Sequence, residues 1–212
     1  MSHKYNIDLQ TWKRREHFAW FNRFEEPFGG LCVQVDCTTA YEVARHCHYK
    51  FSLYYLYCSL QAANSVEPFR YRIEQEQVVC YDRVGADTTI LRVDETYGCA
   101  HFDYDPDRDR FMTAALSEME RVQQTQGLCM NFVGEDTIYY STLPWVPFTS
   151  VDHPRRFSQP TSVPRITFGQ ITSQGKHRLL PVDIHFHHAL MDGFHVGQFI
   201  QCFQRLLNER MG

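Results

Sequence analysis

The stretch His185-Phe186-His187-His188-Ala189-Leu190-Met191-Asp192-Gly193-Phe194-His195-Val196-Gly197-Gln198-Phe199 contains a change of period. Upstream, Leu179 to Phe186 has the apolar, partly alternating pattern of a strand. Downstream, Phe199, Phe203 and Leu206 or Leu207 recur at helical spacing. Strand therefore passes to helix through a turn at Asp192-Gly193. A histidine at a strand end, beside such a turn, is well placed to reach a ligand.

Working outward, the aromatic spacing of Trp12, Phe18, Trp20, Phe21 and Phe24 predicts an amphipathic helix over residues 8–24, broken at Gly29-Gly30. A strand is expected at Leu31–Asp36 and a short helix from Thr38 or Thr39 to about Cys47, capped by a threonine. A mostly buried helix fits Phe51–Asn64. Period two returns in Phe69–Ile73, Val78–Tyr81 and Thr88–Val93. Pro106 to about Gln126 reads as a helix with Phe111, Ala115, Leu116, Met119 and Val122 inward. Ile138–Thr142 and Ile166–Gly169 are further strands, the first ended by Pro144. This order predicts an α/β fold, a two-layer sandwich of helices packed on a large mixed sheet. No linker or repeat divides the 212 residues, so one domain spanning 1–212 is expected.

A hydrophobic content of 43% supports a sizeable core, and 15% aromatic residues favour apolar pockets or interfaces. A net charge of −4 with dispersed basic residues argues against nucleic-acid binding. No apolar run reaches membrane-spanning length, and the first residues lack a signal-peptide core, so a cytoplasmic location is expected. Eight cysteines without a CxxC pair read as reduced structural thiols.

Four readings compete for His185, His187 and His188. They can be core histidines with satisfied bonds, which the neighbouring Asp-Gly turn weakens. They can be metal ligands, but His185 and His187 share a strand face without a third partner, and neither HExxH nor a cysteine pair is present. A serine triad lacks its GxSxG elbow. A general base needs only one histidine held in one tautomer at the end of a rigid element, and that requirement is met here.

The motif HHALMDGFHV resembles the HHxxxDGFHV signature of chloramphenicol acetyltransferases, within the wider superfamily of coenzyme A-dependent acyltransferases. Trp12-x-Arg14-Arg15-Glu16-His17-Phe18 and Ser141-x-Leu143-Pro144-Trp145-Val146 are similar to two further blocks of that family, in the same order. The resemblance implies His188 as general base, its ring held by its own backbone carbonyl, and Ser141 as donor to the tetrahedral oxyanion. It implies that Asp192 pairs with Arg14 to organise the site. It assigns Lys50, Trp145 and Thr167 to coenzyme A and the acyl-transfer site, and Trp20 and Phe21 to the acceptor pocket. Acetyl-CoA is then a co-substrate, with no tightly bound cofactor and no metal. The acceptor is a small, largely apolar alcohol such as chloramphenicol, and the assembly is a homotrimer with active sites between subunits.

The chain departs from the family pattern at three places. Gln170-Ile171 replaces a Lys-Tyr pair on the coenzyme A side, Phe21 lacks a frequent tyrosine hydroxyl, and Glu25 brings a carboxylate to an apolar pocket. These departures keep a second reading in view, a non-catalytic small-molecule binder retaining the acyltransferase fold. The intact set His188, Ser141, Arg14 and Asp192 speaks for the enzyme, since a binder needs no such combination.

Overall fold

A computed structural model describes residues 2–130 and 134–210. In chain order its elements begin with β1 (Lys4–Asn6), α1 (Arg15–Phe21), β2 (Phe28–Asp36), α2 (Thr38–His46) and α3 (Phe51–Ser65). Next come β3 (Tyr71–Glu74), β4 (Gln77–Tyr81), β5 (Gly85–Leu91), β6 (Tyr97–Phe102) and α4 (Arg108–Gln124). The chain continues through β7 (Thr137–Thr142), β8 (Arg165–Phe168), β9 (Thr172–Gln174), β10 (His177–His187) and α5 (Gly193–Asn208). The main sheet runs β2-β10-β8-β7-β5-β6, with β9 paired to β10. β7 is parallel to both β5 and β8, while the remaining pairs are antiparallel. This is the expected mixed sheet under helices, joined by a small sheet β1-β4-β3.

Strand alternation divides the main sheet into two unlike faces. β10 turns Leu180, Val182, Ile184 and Phe186 into the core shared with α3 and α5. β8 adds Ile166 and Phe168, and β7 adds Ile138 and Tyr140. α3 is buried nearly all round, which is why its sequence shows little polar periodicity. Phe199 on α5 stacks on Phe69 and Phe203 at 4.7 and 5.9 Å. Truncating this fully buried ring to alanine costs about 3–5 kcal/mol. The opposite face carries Tyr139, Ser141, Arg165, Thr167, Asp183, His185 and His187, and the segment 151–155 packs on it: His153 meets Thr167, and Val151 and Arg155 meet His185.

The expected elements shift where local chemistry overrides periodicity. The first helix is shorter than residues 8–24 because Asp8 accepts from the Gln10 N–H and the Thr11 hydroxyl, closing a turn before Arg15. Gly29-Gly30 extends β2 instead of ending an element. A Cβ at Gly29 or Gly30 would stand 3.1 or 3.0 Å from the rings of Phe186 and His185 across the ladder. α2 is capped by Cys37, not a threonine; Thr38 is its first residue and bonds Asp36. Phe69 and Arg70 lie in a 3-10 turn begun at Glu67-Pro68, so the strand starts at Tyr71. Leu116 is 40% exposed, because α4 buries Met112 with Phe111, Ala115, Met119 and Val122.

β6 was not expected from its sequence. Its inward residues include Gly98 and Ala100, too small to give a hydrophobic alternation. At Gly98 a Cβ would meet Arg92 and Val122 at 2.3 and 2.6 Å, so the packing excludes a side chain there. Arg72 fastens the small sheet to the large one. Fully buried, it donates to the carbonyls of Phe69, Tyr71, Glu135 and Thr137. Burial holds its pKa down at about 10. Among the described residues no helix is long and apolar enough to cross a membrane.

Candidate active site

His188 follows directly on β10, and its N–H donates to the carbonyl of Pro27 at 2.8 Å, pinning the strand end to the entry of β2. Its ring lies parallel to Phe21 at 4.0 Å and 6°, with Phe186 edge-on at 5.9 Å. The buried Nδ1 has no hydrogen-bond partner among the described residues. The expected bond to the residue's own carbonyl is therefore missing. That carbonyl instead accepts from Arg14 Nη2 at 3.3 Å. Ring orientation comes from aromatic stacking, which aligns the plane without choosing a tautomer.

Arg14 also reaches Asp192, Nη1 to Oδ2 at 2.5 Å, as the resemblance implied. One guanidinium thus ties the first helix to the carbonyl of His188 and to the start of α5. Burial pushes the Asp192 carboxyl up, but the Arg14 bond, His195 and the Phe194 N–H together hold it below its ordinary value. The other carboxylate oxygen caps α5 by accepting from Phe194 N–H at 3.0 Å.

His195 acquires a role that sequence reading missed. At the third position of α5 its Nδ1 accepts from the Asp192 backbone N–H at 3.2 Å, completing a capping box. Nδ1 also lies 3.0 Å from Asp192 Oδ1. The acceptor role is favoured because that N–H has no other partner among the described residues. Burial, then Arg14, lowers the pKa of His195, which keeps the lone pair free. Histidine three residues after aspartate was the available signal, but the box is usually read only in Glu or Gln.

Ser141 and Thr167 lie side by side on β7 and β8, on the sheet face opposite the core helices. The Ser141 hydroxyl makes no hydrogen bond among the described residues, so it is not consumed locally. Thr167 is buried and faces His153 Nε2 at 3.3 Å. Thr167 pairs across the ladder with Asp183, five residues before His188. Five extended residues span about 16 Å. The His188 ring also packs with Phe186, on the helix side of the sheet. One chain therefore does not bring His188 together with Ser141.

Of the remaining assigned residues, Lys50 is an exposed residue preceding α3, and Trp145, after β7, is 62% exposed. Gln170 is exposed and Ile171 packs against the core. Trp20 is 64% exposed and touches Phe24, itself 45% exposed, beside the Phe21–His188 stack. Burial raises the thiols of Cys37 and Cys58 to about 12, as suits inert core residues.

His153, Asp183 and His185 form a compact group whose ligand-type atoms lie within 4.8 Å of one another. Arg155 donates to His185 Nδ1 at 3.2 Å, which puts the ring proton on Nε2. That proton points to Val151 O at 3.0 Å, and Asp183 Oδ2, also 3.0 Å away, falls outside hydrogen-bonding angles. A protonated Nε2 has no lone pair for a metal, so the geometry is that of a buried polar network. Burial, then His185 and Arg165, lowers His153 to about 4; burial, then Arg155 and His188, does the same for His187.

Helices over one face of a mixed sheet, with a braced histidine where the last long strand gives way to the last helix, is the plan of the coenzyme A-dependent acyltransferases. The family model for chloramphenicol acetyltransferase matches residues 2–204. The chain belongs to that family. It is 32% identical over 208 residues to chloramphenicol acetyltransferase 3 of Escherichia coli, covering 97% of each chain. It is 28% identical over 204 residues to a chloramphenicol acetyltransferase of Proteus mirabilis, covering 96% of this chain and 94% of the relative. A solved chloramphenicol acetyltransferase superposes with a TM-score of 0.91 at 26% identity, covering 97% of this chain and all of the other. A dihydrolipoamide acetyltransferase of Azotobacter vinelandii, at 15% identity and a TM-score of 0.61 over 86% of this chain and 82% of its own, shares the fold. Membership makes this protein an acetyl-CoA-dependent acetyltransferase acting on a small hydroxyl-bearing acceptor.

Proposed function

We propose that the chain is one acyltransferase domain that moves acetyl from acetyl-CoA to an alcohol in a ternary complex, with His188 as the base. The observation that carries this is the seat of His188: Phe21 aligns its ring while Arg14 grips its carbonyl and Asp192 together. In the reaction, His188 takes the proton of the acceptor hydroxyl as its oxygen attacks the thioester carbonyl. The tetrahedral oxyanion accepts a hydrogen bond from Ser141, a contact worth about 3–4 kcal/mol of barrier in other enzymes. The C–S bond then breaks, and the imidazolium returns its proton to the departing sulfur. Lys50, Trp145 and Thr167 hold the coenzyme A side, and Trp20 and Phe21 help bound the acceptor.

Separation of His188 from Ser141 within one chain supports a site shared between subunits of a homotrimer. The exposed rings of Trp20 and Phe24 beside His188 supply the apolar surface a second copy would cover. Release of free coenzyme A from acetyl-CoA, with chloramphenicol and a panel of other alcohols, tests the reading. Turnover that is abolished in His188→Ala, with coenzyme A binding retained, is the expected result. Undiminished turnover in that variant removes His188 as the base.

A further inference from the structure

We propose that the acceptor of this enzyme carries a carboxylate close to its hydroxyl, and that Arg165 binds that carboxylate. The inference rests on the acetyl-transfer reading and adds the chemical class of the acceptor.

β8 places Arg165 two residues before Thr167 on the same sheet face, about 7 Å along the strand. β7 repeats the arrangement, with Tyr139 beside Arg165 and Ser141 beside Thr167. Thr167 is buried under His153, whereas Ser141 is partly exposed, so an acceptor whose hydroxyl sits at Ser141 reaches Arg165 with its far end, one aromatic ring away. A cavity of about 700 Å³ opens at that end, walled by Phe24, Phe28, Phe157 and by Arg155, Arg156 and Arg165. Rings and guanidinium groups together fit a compact acid with an apolar body.

Arg155, Arg156 and Arg165 face Glu25, Glu26 and Glu76 around the cavity, so the imbalance is one of direct pairing and not of net charge. The Arg155 guanidinium lies 4.0 Å from the Phe28 ring and pairs with Glu26 at 3.1 Å. Arg165 approaches the same ring at 5.8 Å, and its hydrogen bond is to the Pro154 carbonyl at 3.3 Å. Among the described residues no carboxylate reaches salt-bridge distance of Arg165. Arg156 bonds Gln159, a neutral partner. Glu25 and Glu76 also border the cavity, but both are exposed and unpaired among the described residues, so solvent screens them. Asp183, buried on the same face, lies 3.0 Å from His185 Nε2 and makes no ion pair with Arg165.

Two guanidinium groups on one ring thus share one half-exposed carboxylate. Burial first, and Arg155 second, disfavour the charge on Arg165, and the more distant Glu26 and Tyr139 offset this only in part, because no carboxylate pairs with it directly. A partly buried, unpaired guanidinium is unfavourable, and a carboxylate meets its fork of N–H groups with two parallel bonds. A neutral apolar ring placed against Arg165 leaves those donors unsatisfied.

The test compares matched alcohols and matched ligands. Coenzyme A release is measured with para-hydroxymethylbenzoate against para-hydroxymethylbenzamide, and benzoate against benzamide is titrated calorimetrically into His188→Ala protein. The acid is expected to win both comparisons by roughly tenfold or more, as for a hydrogen bond to a charged group. Arg165→Met should erase that preference while sparing the KM for acetyl-CoA and the turnover of the amide, and Arg165→Lys should restore part of it. Equal or weaker binding of benzoate overturns the inference, as does equal loss of acid and amide turnover in Arg165→Met. Turnover of neutral alcohols alone overturns the carboxylate and leaves acetyl transfer standing. Absence of coenzyme A release with every alcohol sinks acetyl transfer, and the benzoate titration still decides the binding site.

Discussion

Asp192 accepts from Arg14 with one carboxylate oxygen and caps α5 with the other. Charge and cap can be separated, because asparagine caps a helix as well as aspartate does. Asp192→Asn should keep the helix and strand the Arg14 guanidinium, whose buried Nε already lacks a partner. A double-mutant cycle of Asp192→Asn with Arg14→Met, read by urea denaturation, should give a coupling of about 1–2 kcal/mol. Coupling near zero would make the 2.5 Å contact an unimportant surface pair. Both single variants should slow coenzyme A release more than they weaken coenzyme A binding, if the pair acts by holding His188 as proposed.

α5 begins at the active site and ends in the core, so its first turn transmits core packing to Asp192. The capping box is part of that link. His195→Ala should lower the stability by about 1 kcal/mol, while His195→Gln, able to accept the same N–H, should retain most of it. Thermal or urea midpoints of the two variants provide the measurement, and equal losses would place the role of His195 elsewhere. β10 is the second decisive element. Its even positions build the core and its odd positions furnish Asp183, His185 and His187, so a one-residue slip of register would exchange core for polar face.

At the scale of the molecule, His188 and Ser141, the proposed base and oxyanion donor, belong to different regions of one chain. Proteins carrying His188→Ala or Ser141→Ala should each be nearly inactive alone. Refolded together, they should regain activity in mixed oligomers, where an intact His188 meets an intact Ser141. Absence of recovery in verified mixed oligomers would argue for a site within each chain. Acid stability is a second property of the whole fold. His153 and His187 sit near a pKa of about 4, against an ordinary value of 6.5. Between pH 6.5 and 4 the unfolded chain binds protons that the native state refuses, so stability falls as pH drops through that window. His101, raised by its Asp87 hydrogen bond, acts oppositely, and its contribution is lost as pH rises. The urea midpoint should be lower at pH 5 than at pH 7, and His187→Gln should narrow the difference. A midpoint that does not fall contradicts the buried neutral histidines.

Much of the fold was legible because its elements carry strong periods. The apolar–polar alternation of β10 and the helical spacing in α5 are properties of adjacent residues, so they can be read in one dimension. β6 was not legible, since Gly98 and Ala100 are small for reasons set by Arg92 and α4. Gly29-Gly30 misled for the same reason: the rings that exclude a Cβ come from β10, some 155 residues away.

The sequence by itself determined the alternation of strand and helix and the motif around His188 and Asp192. It also determined, through likeness in three blocks, the pairing of Asp192 with Arg14. Those features are local, or are held by charge complementarity that few other partners could satisfy. Only the tertiary structure decided that Phe21 orients His188, that His195 completes a cap, and that His188 and Ser141 lie apart within one chain. It alone set Arg155 and Arg165 against Phe28, with Glu26 paired to Arg155. Each of these depends on distances between residues far apart in the chain, which strand register and helix packing fix and residue order does not record.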